Sequence, residues 1–261
     1  MASWSFFRSQ AKPVLIAHRG ASAYAPENSL TAFKLAIDMG ARFIEFDVHQ
    51  TKDGRLVVAH DGDLRRALGI RKKIAEATLD EIQKHYIRLP KAKEAPHEKM
   101  PTLEEVLTLI SRRAVVNVEI KGSPKEYPGI EEKAIDILES KGYSGMCFIS
   151  SFNYDILVRC RKASPSMPLA FILGTMRSNK IFEEAKAVGI ETLVCSTHQL
   201  SSDLVAKAHQ RGLLVGVYTA NKKKQWLRLA RTHVDAIFTD YPDLLGIPEF
   251  EISSLGLTNG D

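Results

Sequence analysis

The sequence predicts a closed (β/α)8 barrel with a small insertion after its second strand, and three observations lead there. Eight short β-rich runs alternate with amphipathic helical stretches, a rhythm that implies a parallel sheet with helices outside it. The 261 residues come close to the roughly 250 of one such barrel. Carboxylates also recur on one face of two strand candidates, toward the end where barrels of this type assemble their sites. An open doubly wound sheet would alternate in the same way and ranks second, because eight strands suit closure.

The strand candidates are Val14 to Ala17, Phe43 to Val48, Val115 to Ile120, Met146 to Ser150, Leu169 to Ile172, Thr192 to Cys195, Leu213 to Tyr218 and Ala236 to Thr239. The helical stretches between them are Ser29 to Met39, Leu103 to Ser111, Ile130 to Ser140, Tyr154 to Arg161, Lys180 to Val188, Ser201 to Gln210 and Lys222 to Thr232. Punctuation agrees with both sets. Thr102 and Glu105 have the spacing at which a hydroxyl and a carboxylate each satisfy an early helical N–H. Gly40, Gly142, Gly189 and Gly212 follow helical stretches, where a left-handed residue ends a helix. One region breaks the rhythm. Lys52-Asp53-Gly54 reads as a turn into a further strand-like run, Leu56 to Ala59, and residues 61–100 are then too long for an ordinary βα loop. With a second capping box at Thr78 and Glu81, this region reads as the insertion beside the barrel mouth. Residues 1–261 are otherwise one domain, with a loosely attached tail after Gly246.

Composition narrows the class. Hydrophobic content of 44% and charged content of 26% suit a soluble globular chain, and no run is apolar for the roughly 18 residues a membrane span needs. The N-terminus carries an aromatic patch (Trp4, Phe6, Phe7) before Arg8 but lacks the pattern of a signal peptide, so a cytoplasmic location and no stable membrane insertion are expected. Three cysteines, Cys147, Cys160 and Cys195, suggest buried inert thiols rather than a disulfide or zinc framework. The net charge of +5 is spread out apart from Arg71-Lys72-Lys73 and Lys222-Lys223-Lys224. No basic stripe interleaves with aromatics, so no nucleic-acid partner is expected. Oligomeric state is left open.

The chemistry sits on two strands. Side chains alternate along a strand, so Glu45 and Asp47 face one way while Ile44, Phe46 and Val48 face the other. In the next barrel strand Asn117, Glu119 and Lys121 share a face opposite Val116, Val118 and Ile120. Three carboxylates sent into a barrel interior need a cation or strong donors. Without a cysteine among them they suit a hard divalent ion, Mg2+ or Ca2+, rather than zinc. The competing reading is that Glu119 pairs with Lys121 or Arg19 and no metal binds. His18-Arg19-Gly20 and His60-Asp61 each end a strand-like run. A histidine exchanges protons near neutral pH, and an arginine grips phosphate with two parallel N–H groups. His49 is in phase with Glu45 and Asp47 but is expected in the following loop. The other five histidines read as solvated or packed.

Taken together these residues resemble the glycerophosphodiester phosphodiesterase family. The resemblance starts at His18-Arg19-Gly20 and Pro26-Glu27-Asn28-Ser29 and continues through Glu45-Phe46-Asp47-Val48, Asp53-Gly54, His60-Asp61 and Pro101-Thr102-Leu103-Glu104-Glu105. It then includes Asn117-Val118-Glu119-Ile120-Lys121, Ser150-Ser151-Phe152 and Tyr218-Thr219-Ala220-Asn221, ending at Thr239-Asp240-Tyr241-Pro242. It implies metal ligands at Glu45, Asp47 and Glu119, with Glu27 and Asn28 close by, a catalytic pair at His18 and His60, and phosphate contacts from Arg19 and Lys121. The implied reaction is metal-dependent hydrolysis of a small-molecule glycerophosphodiester, such as glycerophosphocholine or glycerophosphoethanolamine, to sn-glycerol 3-phosphate and an alcohol. Tyr218 stands where the family commonly has tryptophan, which bears on pocket shape. Two other functions compete: a non-catalytic phosphate-binding barrel, which would need no proton-transfer pair, and a phosphodiesterase acting on lysophospholipids or phosphoinositides.

Overall fold

The computed structural model describes residues 13–90, 97–174 and 180–243. The aromatic patch before Arg8, the tail after Gly246 and residues 91–96 of the insertion lie outside these. Nine strands are described: β1 (Val14–His18), β2 (Phe43–Gln50), β3 (Leu56–Val58), β4 (Val115–Ile120), β5 (Cys147–Ser151), β6 (Leu169–Ile172), β7 (Thr192–Ser196), β8 (Leu214–Tyr218) and β9 (Ala236–Thr239). Eight run parallel in the order β1-β9-β8-β7-β6-β5-β4-β2, and β2 pairs back onto β1, so the barrel is closed. β3 alone is antiparallel, forming a hairpin on the far end of β2 through the Thr51 to Arg55 turn.

The helices are α1 (Leu30–Asp38), α2 (Leu64–Leu68), α3 (Leu79–Ile82), α4 (Leu103–Ile110), α5 (Ile130–Ser140), α6 (Tyr154–Ala163), α7 (Lys180–Val188), α8 (Ser202–His209) and α9 (Lys223–Ala230). Their starts are chemically marked. Thr102 Oγ1 accepts from Glu105 N at 3.2 Å while Thr102 N donates to Glu105 Oε2 at 2.8 Å, and Thr78 with Glu81 repeats the arrangement ahead of α3. Among the described residues no helix is long and apolar enough to cross a membrane.

Two apolar layers follow from the strand alternation. Ile44, Phe46 and Val48 of β2, with Val116, Val118 and Ile120 of β4, face outward and join the helices, including Phe33 of α1 and Leu103, Val106, Leu107 and Ile110 of α4. Full burial of each large side chain stabilises the fold by about 1.5–3 kcal/mol. The interior layer holds Val14, Ile16, Phe43, Val115, Phe148, Ala170, Ile172, Val194, Leu214, Ala236 and Phe238, closing the barrel toward its N-terminal end. The register then carries the chain from apolar to polar: Phe43 lies opposite Val115, Glu45 opposite Asn117, and Asp47 opposite Glu119.

The described residues of 61–100 include α2, a 3-10 turn (Ile74–Glu76) and α3. Their own apolar cluster of Leu64, Leu68, Ile74, Ala77, Ile82 and Met100 packs on Val57 and Ala59. β2 runs two residues beyond the predicted Val48, because His49 and Gln50 find partners in Val57 and Leu56 of β3. His49 is therefore a strand residue and not, as expected, a loop residue. Cys147, Cys160 and Cys195 are buried free thiols, as expected.

Candidate active site

The C-terminal end of β2 and β4 gathers the charge. Glu45, Asp47 and Glu119 are all buried, and each offers a carboxylate oxygen within 4.8 Å of the others. β1 ends beside them, with His18 in register with Glu45. The chain then turns through Arg19, whose φ of 55° is left-handed and costs on the order of 1 kcal/mol for a non-glycine residue. Contacts hold it there: Arg19 N donates to Glu45 Oε2 at 3.0 Å, Nη1 donates to Glu27 Oε2 at 3.1 Å, and Nε lies 3.3 Å from Asp47 Oδ2. Gly20 follows at φ 80°, where a Cβ would meet the Ala32 carbonyl carbon at 2.7 Å, so only glycine fits between the turn and α1. Asn28, also left-handed, donates from Nδ2 to Asp47 Oδ2 at 2.8 Å. Lys121 Nζ donates to Glu119 Oε1 at 2.7 Å and sits 3.2 Å from Asp47 Oδ1.

Three carboxylates therefore face two fixed cations. Burial pushes the Asp47 carboxyl up, but Lys121 and Arg19 outweigh it and bring it down to about 2. Burial and the nearby Asp47 charge push Glu119 up to about 7 despite Lys121. Burial, with Asp47 and Glu119, holds Glu45 well above the usual carboxylate range. The pairing of Glu119 with Lys121 that the sequence allowed does form, yet Arg19 and Lys121 are two cations among three carboxyl groups. Glu45 Oε1, buried, makes no hydrogen bond. An orphaned carboxylate oxygen among all-oxygen donors fits a hard divalent cation.

Each predicted histidine has a carboxylate on the same ring nitrogen. His18 Nδ1 lies 2.7 Å from Asp240 Oδ1, and Asp240 also accepts from Ser22 Oγ at 3.0 Å and from Asn221 Nδ2. His60 Nδ1 lies 2.7 Å from Asp61 Oδ1. His60 follows Ala59, whose N–H donates to the Asp47 carbonyl at 3.0 Å, which sets it beside β2. Burial lowers the His60 pKa, partly countered by Asp47. Burial pushes Asp240 up, but the His18 and Asn221 hydrogen bonds outweigh it; at Asp61 the Arg66 hydrogen bond leads, and both carboxylates are held below their usual range. An ionised carboxylate only accepts, so in each neutral imidazole the proton sits on Nδ1 and the Nε2 lone pair is left for chemistry. His49 is different. It is buried between Tyr127 Oη, 2.8 Å from Nδ1, and the His60 carbonyl, 3.2 Å from Nε2, and burial lowers its pKa to about 4. It stays neutral and fixes the His60 backbone.

All seven predicted site residues thus meet around one end of the barrel. What sequence reasoning left without a role is the support: Asp240, Ser22 and Asn221 behind His18, and Arg66, which donates to both Asp61 and Glu27.

Comparison with known proteins agrees with the barrel fold and identifies its family. The model of the glycerophosphoryl diester phosphodiesterase family matches residues 18–244, from His18 past Asp240. The chain belongs to that family. It is an enzyme, a phosphoric diester hydrolase. The glycerophosphodiester phosphodiesterase of Caldanaerobacter subterraneus subsp. tengcongensis is 33% identical over 237 residues, covering 90% of this chain and 96% of its own length. The glycerophosphodiester phosphodiesterase of Bacillus subtilis is 34% identical over 249 residues, covering 88% and 84%. The structure of an Oleispira antarctica phosphodiesterase in complex with its product sn-glycerol-3-phosphate superposes with a TM-score of 0.84 at 28% identity, covering 94% of this chain and 98% of that one.

Proposed function

We propose that this family member hydrolyses water-soluble glycerophosphodiesters, such as glycerophosphocholine and glycerophosphoethanolamine, to sn-glycerol 3-phosphate and the free alcohol, using His18 and His60 as its proton-transfer pair. The observation that carries the reading is the matched support of the two imidazoles, each with Nδ1 against a carboxylate at 2.7 Å beside one buried acidic cluster. A phosphate-binding barrel without catalysis has no use for two such pairs. The product held by the Oleispira relative supports the glycerol 3-phosphate half of the substrate.

Glu45, Asp47 and Glu119 would hold a divalent cation, Mg2+ or Ca2+, with Arg19 and Lys121 beside it. When bound, such an ion offsets charge growing on the phosphoryl oxygens. Arg19 and Lys121 orient the phosphodiester; Lys121, bound to Glu119 and Asp47 here, is freed for phosphate as those oxygens find another partner. One histidine takes the proton of the neighbouring glycerol hydroxyl as that oxygen attacks phosphorus, and the other gives a proton to the departing alcohol. Water then opens the cyclic diester with the roles reversed. Holding the hydroxyl next to phosphorus provides the advantage of an intramolecular reaction.

The test is release of glycerol 3-phosphate from a panel of glycerophosphodiesters and lysophospholipids. His18→Ala and His60→Ala should each lower turnover by about 10²–10⁴-fold. Turnover within a few fold of wild type in both variants removes the pair from the mechanism.

A further inference from the structure

The segment at 61–90 lies beside the barrel mouth, and one of its side chains touches two parts of the proposed machinery at once. α2 is anchored by fully buried Leu64 and Leu68, and Arg66, between them, turns away toward the site. Its Nε donates to Asp61 Oδ2 at 2.6 Å and its Nη2 donates to Glu27 Oε1 at 2.6 Å. The remaining oxygens of those carboxylates are used as well. Asp61 Oδ1 holds His60 Nδ1 at 2.7 Å, and Glu27 Oε2 holds Arg19 Nη1 at 3.1 Å. The result is an unbroken hydrogen-bonded chain from His60 through Asp61, Arg66 and Glu27 to Arg19, which ends 3.3 Å from Asp47.

We infer that Arg66 is a positioning residue for this reaction: its guanidinium locks the carboxylate behind His60 and the carboxylate behind Arg19 into one geometry, so that the proton-transfer imidazole and the phosphate-gripping arginine are set by the same side chain. The fork is what makes this possible. A guanidinium presents Nε and Nη2 in a fixed plane and reaches two carboxylates at once, whereas an ammonium on a flexible stem does not. A purely stabilising role fits poorly. The Arg66 side chain is 45% exposed, and ion pairs so open to solvent contribute little to folding. Misplacement of a reacting group by about 1 Å, by contrast, costs on the order of 10²-fold. The inference rests on the roles assigned above to His60 and Arg19.

The test is steady-state kinetics and thermal melting of Arg66→Gln. Its kcat/KM should fall about 10–100-fold, the range for partners that orient reactive ligands, with the melting temperature little changed. The loss should split, with kcat falling through the Asp61 arm and KM rising through the Glu27 arm. In an Asp61→Asn background the kcat loss from Arg66→Gln should nearly vanish, since the group it acts through is already gone. Arg66→Lys, which keeps the charge and loses the fork, should fall between the two, and it serves as the measured variant if Arg66→Gln does not fold. Full activity in Arg66→Lys together with Arg66→Gln within threefold of wild type overturns the inference, as does an undiminished kcat loss in the Asp61→Asn background. If His60→Ala and Arg19→Ala also keep activity, the functional reading itself fails. If they lose it while the Arg66 variants do not, only the positioning role is lost.

Discussion

Asp240 touches neither the acidic cluster nor any predicted phosphate contact, yet its loss should slow the enzyme substantially. Asp240→Asn keeps the shape of the side chain and removes the charge. Asp240 Oδ1 accepts from His18 Nδ1 at 2.7 Å and from Ser22 Oγ at 3.0 Å, while Oδ2 accepts from Asn221 Nδ2. A hydrogen bond to a charged partner is worth about 1.5–3 kcal/mol. If that difference is felt where His18 carries or passes a proton, then at about 1.36 kcal/mol per factor of ten kcat falls by roughly 10–150-fold. An amide also offers a donor where the imidazole Nδ1–H needs an acceptor, so the ring is free to turn and present the wrong nitrogen. KM should stay within about threefold, because Asp240 acts through His18 and not on the phosphate. The assay is initial-rate release of glycerol 3-phosphate from glycerophosphocholine with saturating Mg2+ or Ca2+, alongside a melting curve. An Asp240→Asn enzyme that turns over within threefold of wild type would show that the carboxylate does not govern His18. A rise in KM with kcat intact would move Asp240 into substrate binding.

Two other outcomes follow from the buried groups. Glu45→Gln replaces a carboxyl that burial, Asp47 and Glu119 already hold well above the usual carboxylate range, so the metal-free protein should melt no lower than wild type, while affinity for Mg2+ or Ca2+ drops about tenfold or more; an unchanged metal-induced rise in melting temperature, or full activity after treatment of the wild type with EDTA, would refute a cation at this cluster. Burial pushes the Cys147 and Cys195 thiols up to about 12 and Cys160 higher still, so they stay protonated and unreactive near pH 8; a thiol reagent should label none of the three until denaturant is added, and rapid labelling of the native protein would contradict that burial.

The fold explains why so expensive a cluster is tolerated. Stability and chemistry occupy different ends of one barrel. Toward the N-terminal end Phe43 faces Val115 in a dry interior layer, and two pleat periods further along the same strands the facing pair is Asp47 and Glu119. The outward faces are apolar through both zones, from Ile44 to Val48 on β2 and from Val116 to Ile120 on β4, so the helices clamp the strands wherever the interior is destabilised. Repulsion among three buried carboxylates is thereby absorbed by a scaffold that does not depend on those positions for its packing.

The same geometry decides what could be read from the chain alone. Glu45 and Asp47, and Asn117, Glu119 and Lys121, were legible because the two-residue period of a strand puts them on one face whatever the rest of the chain does. β4 and β6 have the predicted bounds, β4 through its alternation and β6 through a short β-rich run between Pro168 and Gly174. His49 was misplaced because β2 is prolonged by β3, and that pairing is a tertiary fact which no local pattern around Val48 reveals. Asp240 lies 222 residues from His18, and the two meet only because β9 closes against β1. Before closure Asp240 is an acid in a loop: Thr239-Asp240-Tyr241-Pro242 marks the position, but nothing local says that its carboxylate will meet His18. Arg66 was harder still, since it sits in a charged stretch with Arg65, whose Nε pairs with Asp63 at 2.9 Å. Nothing in the order of the two arginines says which one α2 will aim at the site; the burial of Leu64 and Leu68 decides that by fixing which face of the helix turns inward.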